Sequence, residues 1–191
     1  MTTQATMDPK TTSLAPWQLD PTHTEVEFSV RHLMISNVKG HFGKIAGTVA
    51  YDQQAHELAS LEVDIDTASV DTRVEQRDQH LRSPDFFDVE KFPKMTFKGR
   101  RVVGDINDGF QLIGDLTIRG TTRPVTLDVT LEGSGTDPWG NERRGYSATG
   151  KIDRRDFGLA YNMALESGGV VVGHDVKIVI NTELTRPLPK D

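Results

Sequence analysis

Glu25-Val26-Glu27-Phe28-Ser29-Val30-Arg31-His32 alternates polar and apolar side chains from end to end. Side chains alternate faces along a strand, so this stretch reads as a strand whose dry face carries Val26, Phe28, Val30 and His32. The pattern returns in Leu61, Val63 and Ile65, which alternate with Glu62, Asp64 and Asp66. Phe110, Leu112, Leu116 and Ile118 share a face, as do Val125, Leu127, Val129 and Leu131. Val172, His174, Val176, Ile178, Ile180 and Leu184 carry it to the end of the chain. Many half-apolar strands with a single helix predict an all-β domain closed as a barrel or folded as a sandwich. A barrel with an apolar lumen is a container for an apolar molecule.

Composition narrows the partners. The 191 residues suit one domain, and 36% hydrophobic with 26% charged residues is ordinary for a globular protein. A net charge of −6 argues against nucleic acid and against an anionic membrane surface, both of which require clustered Lys and Arg. The absence of cysteine removes disulfides, thiolate catalysis and zinc–sulfur sites. No stretch approaches the ~20 apolar residues of a spanning helix. The polar residues 1–16 lack a basic segment leading into an apolar one, so no export signal is read; the expectation is a cytoplasmic protein with a flexible N-terminal arm over 1–16 and a short tail over 186–191.

Between these ends the period changes once. Thr72-Arg73-Val74-Glu75 has capping-box spacing, which predicts a helix over Arg73–Arg82 that stops at Ser83-Pro84. Its mix of Val74, Arg77, Asp78 and Leu81 reads as a lid over one barrel end. The Pro84–Pro93 segment, with Phe86, Phe87 and Phe92, continues that cover. Asn107-Asp108-Gly109 predicts a hairpin, and residues 134–141 form the longest polar hairpin tip.

Catalytic motifs are scarce. There is no nucleophile elbow, Walker A loop or dinucleotide fingerprint, and the six histidines include no H-x-H or H-E-x-x-H spacing. No metal site and no cofactor are expected. His32 and His174 fall on apolar faces, where an unpartnered polar group costs ~1–3 kcal/mol. Each is either a partnered structural histidine or a donor to a ligand's polar end. Arg77, His80 and Arg82 likewise have two readings: Arg77 and Asp78 lock the helix to the barrel, or the three cationic side chains form a rim that meets a phosphate or carbonyl.

Trp17-x-Leu19-Asp20-x-x-His23, Phe28-x-Val30-x-His32, Val38-x-Gly40-x-Phe42, and above all Val70-Asp71-Thr72 leading to Arg77-Asp78-x-His80-Leu81-Arg82-Ser83-x-Asp85-Phe86-Phe87-Asp88, carry a resemblance to the YceI-like family. Gly114-x-Leu116-Thr117-Ile118-Arg119-Gly120-Thr121-Thr122 and Arg155-x-Phe157-Gly158 complete it over Trp17 to about Leu184. It implies an antiparallel, roughly eight-stranded lipocalin-like barrel over 17–185, holding a long polyisoprenoid lipid without catalysis, and a homodimer. The pattern departs at Thr24, where Ser is common, and at Phe92, where Tyr is common. On this reading Phe28, Val30, His32, Phe42, Val49, Val63 and Ile65 line the lumen. So do Phe97, Phe110, Leu112, Leu116, Leu127 and Val129, with Phe157, His174, Val176 and Ile178. Arg77, His80, Arg82, Phe86 and Phe87 stand at the mouth. Burial of apolar chain yields ~0.8 kcal/mol per methylene, so a prenyl phosphate, an isoprenoid quinone and a fatty amide all fit. Two other functions compete: an enzyme of lipid metabolism with His32 or His174 as base, and a barrel filled by its own Phe28, Phe42, Phe97, Phe110 and Phe157.

Overall fold

The computed structural model describes residues 16–52, 57–164 and 170–188. The expected N-terminal arm lies, but for Pro16, outside these residues.

The strands are β1 (Trp17–Leu19), β2 (Glu25–His32), β3 (Ser36–Phe42), β4 (Ile45–Asp52), β5 (Glu57–Asp66), β6 (Val70–Asp71), β7 (Lys94–Gly104), β8 (Gly109–Ile118), β9 (Thr121–Thr136), β10 (Asn141–Asp153) and β11 (Val172–Pro187), with α1 (Glu75–Arg82) between β6 and β7. From β4 through β5, β7, β8, β9, β10 and β11, every strand is antiparallel to the next. The ring then closes on the start of the chain. β1 joins β11 to β4, and β2 joins β11 to β3. With β1–β2 as one interrupted strand and β3–β4 as one strand bent at Gly43-Lys44, the sheet is a closed antiparallel eight-stranded barrel.

Alternation sets which side is dry. Leu112, Gly114, Leu116 and Ile118 of β8 are buried between more exposed neighbours, and Val125, Leu127 and Val129 of β9 follow the same rule. Register irregularities at Ala50/Tyr51, Gly99/Arg101 and Gly145/Tyr146 coil the sheet as closure requires. Gly114 shows the inward crowding: a Cβ there would lie 2.5 Å from Phe97 Cζ and 2.6 Å from the Lys98 carbonyl.

Three boundaries differ from the sequence reading. The helix begins at Glu75, because Arg73 takes a left-handed φ of 64° and Val74 is extended at the N-cap. No side chain caps it; the Thr72 hydroxyl donates to Asp78 Oδ1 instead, at 2.5 Å. The β9–β10 tip is shorter than expected because β9 continues to Thr136. β11 continues to Pro187, so Arg186 belongs to the barrel and not to a tail.

The seam beside β1 is tied by Arg143. Its guanidinium donates to Asp20 Oδ2 at 2.8 Å, Asp137 Oδ2 at 2.9 Å and Glu183 Oε2 at 2.9 Å. The Thr22 hydroxyl, Arg143 and His23 hold the Asp20 carboxyl well below the usual carboxylate range. Burial pushes Asp137 up, but hydrogen bonds from Asn141, Arg143 and the Trp139 N–H outweigh it, and that carboxyl is also held low. Carboxylates depressed in the folded state add stability above their unfolded pKa of about 4, and this stability is lost as pH falls through the lower folded values. Arg143→Met is therefore expected to lower Tm by several degrees at pH 7, with the gap to the parent protein narrowing between pH 4 and pH 2. Thermal melts across that range check it; a gap independent of pH would contradict the linkage.

Candidate functional site

The inward side chains do not fill the barrel. They enclose a cavity of about 520 Å3, a size typical of sites for drug-sized ligands. Phe28, Phe42, Phe97 and Phe110 all stand in its wall and leave that volume between them. Aliphatic residues supply most of the rest. Val30, Val49, Val63, Ile65, Leu112, Leu116, Leu127, Val129, Val176 and Ile178 line it as expected from their parity, and so does His32.

Two expected lining residues are elsewhere. His174 lies in an irregular stretch of β11: Val172 pairs with His32 and Val176 with Val30, so four residues of β11 span two of β2. That local slip takes His174 off the wall although its parity matches. Phe157 closes a 3-10 turn over Arg154–Phe157, outside any strand. Its ring is 2% exposed, packed in the core and not in the cavity wall.

The wall holds more than the residues named as lining. Val26, Ile118, Val125, Ile180 and Leu184, which the alternation places on the dry faces, stand in it too, as does Leu19. Trp17 lines the wall at the β1 end, 7% exposed, with the Arg186 guanidinium carbon 4.3 Å and that of Arg144 5.5 Å from its ring centre. Tyr161 and Arg154 come from irregular backbone, where no period reports direction.

The other end carries the helix. Thr72 is its clamp: its N–H and hydroxyl both donate to Asp78, which is 4% exposed, while Arg77 donates from Nε to Thr72 Oγ1 at 2.7 Å and from Nη2 to Thr72 O at 2.8 Å. Arg77, His80, Leu81, Phe86 and Phe87 reach the cavity. Phe86 packs edge-on to His80, and His80 edge-on to Tyr161. His80 Nε2 donates to Asp85 Oδ2 at 2.8 Å. Arg82 does not reach the cavity; its guanidinium turns to the carbonyls of Ala68 and Val70, at 3.0 and 2.9 Å, and pins the helix to the segment before it. Near this end Met163 lines the cavity while 55% exposed, and Arg31 is both lining and exposed. The opening therefore lies beside them, next to the apolar hairpin tip Leu33-Met34-Ile35.

One group of side chains has metal-ligand types. Asp20, His23 and Glu183 bring a ligand atom each within 4.8 Å of one another. Arg143 donates to both carboxylates, so a guanidinium already neutralises that position. Among the described residues no helix is long and apolar enough to cross a membrane.

Asp78 gives a direct check on the clamp. Asp78→Ala leaves two buried Thr72 donors unmatched and is expected to cost about 1–3 kcal/mol in urea unfolding. Asp85→Asn, on an exposed pair, is expected to cost at most about 0.5 kcal/mol. Equal losses would show that the helix is not held through Thr72.

Comparison with known proteins agrees with this architecture. The sequence pattern of the YceI-like domain matches residues 17–184. The UPF0312 protein of Staphylococcus epidermidis is 39% identical over 175 residues, 90% of this chain and 98% of the relative. A UPF0312 protein of Vibrio cholerae is 39% identical over 137 residues, 72% of each chain. Among solved structures, the Campylobacter jejuni YCEI protein superposes with a TM-score of 0.70 at 30% identity, covering 98% of this chain and 100% of that one. BcnA of Burkholderia cenocepacia, at 21% identity, shares the fold with a TM-score of 0.73 over 86% of this chain and 98% of its own. A polyisoprenoid binding domain from Saccharophagus degradans, at 17% identity, shares it with a TM-score of 0.65 over 91% and 99%.

Proposed function

The chain belongs to the YceI-like family, and from that premise and its cavity we propose that it is a binding and carrier protein for a long-chain isoprenoid lipid or a similar amphiphile. The observation that carries this reading is the cavity itself: a closed barrel whose inward faces are almost wholly aliphatic and aromatic, yet which its own side chains leave open at about 520 Å3. Empty apolar volume in a core costs stability, because the lining groups lose contact partners. An apolar chain restores those contacts and leaves water at about 0.8 kcal/mol per methylene, so length supplies most of the affinity. A polyprenyl phosphate and an isoprenoid quinone both meet this requirement. The likeness to a polyisoprenoid binding domain supports the same class.

The route follows from the closure. Hydrogen bonds run round the whole ring, so a ligand passes an end, and the end beside Met163 and Arg31 is where wall residues are exposed. The enzymatic alternative lacks an arrangement that would serve it. His32 reaches the cavity, but among the described residues no acid orients its ring, and His174 is off the wall.

Extraction of the purified protein with organic solvent, followed by mass spectrometry, is expected to recover a long-chain lipid. Uptake of added prenyl quinone is read from Trp17 after Trp139→Phe, since Trp139 is 79% exposed and Trp17 stands in the wall. Repeated recovery of no lipid, with no change in Trp17 emission on adding prenyl quinone, would overturn the reading. Ala148 lines the cavity and is small, so Ala148→Trp is expected to weaken uptake at least tenfold while keeping the β-sheet circular dichroism.

A further inference from the structure

The few charged groups that line this otherwise apolar cavity are mostly cationic, in a protein whose net charge is −6. Four arginines line it, Arg31, Arg77, Arg144 and Arg154, against one carboxylate, Glu27. None of the four has a carboxylate within ion-pair distance among the described residues; outside the cavity Arg82, Arg100, Arg143, Arg155 and Arg186 do, and the surface arginines Arg73, Arg101, Arg119 and Arg123 do not. Three of the four, with His32 and His80, gather at the helix end; Arg144 lies at the other end, over Trp17.

Arg154 is the least expected of them. It is 3% exposed and lines the cavity, and its partners are backbone carbonyls only: Nε donates to Gly173 O at 2.8 Å, Nη1 to Leu159 O, and Nη2 to Val172 O at 3.3 Å. A guanidinium has five N–H groups, so about two are left over once these three bonds are made. Carbonyl dipoles orient the group without cancelling its charge. The charge of neighbouring Asp153 favours the cation, but both Asp153 oxygens make their hydrogen bonds to Arg155, at 3.0, 3.1 and 2.5 Å, so Arg154 has no direct carboxylate partner. Burial pushes Arg154 below the usual guanidinium range, outweighing the opposing charge of Asp153. Val172, whose carbonyl Arg154 holds, is the register partner of His32. The His32 ring lines the cavity and has no hydrogen-bond partner among the described residues. A buried cation without a direct anionic partner is costly, and such charges are found paired or bound to something.

We propose that the helix end of the cavity is a head-group site for an anionic amphiphile, whose acidic oxygens sit against Arg154 and His32 while its apolar chain runs toward Trp17. This rests on the lipid-binding reading and names the ligand class and its direction. The guanidinium supplies a fixed, planar pair of donors, which suits a carboxylate or phosphate oxygen pair. A neutral head of the same length leaves the cation without an anion.

The probes are palmitate labelled with 13C at the carboxyl, hexadecanamide and 1-hexadecanol, which share a chain length and differ at the head. Binding to the Trp139→Phe protein at pH 8 is expected to favour palmitate at least tenfold over both neutral compounds. Arg154→Met is expected to abolish that preference, bringing palmitate to the affinity of the neutral compounds, with circular dichroism reporting that the variant is folded. Should Arg154→Met not fold, the carboxyl signal of palmitate bound to the parent protein decides: contact with Arg154 keeps it ionised below the ordinary carboxylate range. Equal binding of acid, amide and alcohol, or a carboxyl titrating above its ordinary range when bound, overturns the head-group site and leaves the lipid carrier standing. Binding of none of the three, with no lipid extracted, overturns both.

Discussion

Closure of the hydrogen-bonded ring is the constraint on which the rest depends. An open sheet of this length would expose two edges and share its dry face with solvent. Here the first strand of the chain is inserted between the last strand and its own successor, with Gln18 opposite both Thr185 and Thr48, and Phe28 opposite both Ile178 and Gly40. Every apolar face identified by alternation then points at every other. The break between β1 and β2, at residues 20–24, is where the Arg143 network sits, so the polar ties lie beside the interruption in the ladder. That placement makes physical sense: where backbone pairing is interrupted, side chains with charge hold the two halves in register.

Closure without filling follows from size and from residue choice. Eight strands leave an interior that side chains can just occupy. Some inward positions carry small residues instead: Gly114, where a Cβ would lie 2.5 Å from Phe97 Cζ, and Ala148 opposite Val129. A larger side chain at such a position would collide with the neighbouring lumen ring. The cavity is thus encoded by where small residues fall in the inward parity as much as by where large ones do.

The barrel was legible because a period of two survives any detail of packing. Val63, Leu112, Leu127 and Ile178 could be placed inside from spacing alone. Legibility failed where backbone is irregular. His174 has the correct parity, but the slip between Val172 and Val176 removes it from the wall, and parity cannot report a slip opposite Arg31. Phe157 is apolar and buried, yet it follows a 3-10 turn and not a strand. The helix starts later than its capping spacing implies, because the left-handed Arg73 turns the chain and the Thr72 hydroxyl donates to Asp78. Arg82 stands near His80 in sequence, but its guanidinium donates to the carbonyls of Ala68 and Val70, on the segment before the helix, and lies 3.8 Å from the Glu75 carboxylate.

Asp153-Arg154-Arg155-Asp156 shows how far one end of the barrel departs from what composition conveys. As a sequence it is a balanced run of charge, the kind that usually covers a solvated surface. The turn separates its members. Asp153 caps the turn, accepting from the Arg155 N–H at 2.9 Å and pairing with its guanidinium, so this acid and this base cancel on the outside. Arg154 is carried inward by the same turn, and the carbonyls of Leu159, Val172 and Gly173, freed by irregular backbone on both sides, receive it. The irregular segments that break the barrel's period are therefore the ones that orient a buried cation at its mouth. A regular strand would have satisfied those carbonyls in a ladder and left no acceptors for a guanidinium. Irregularity at this end is what allows a polar group to stand at the rim of an otherwise apolar container.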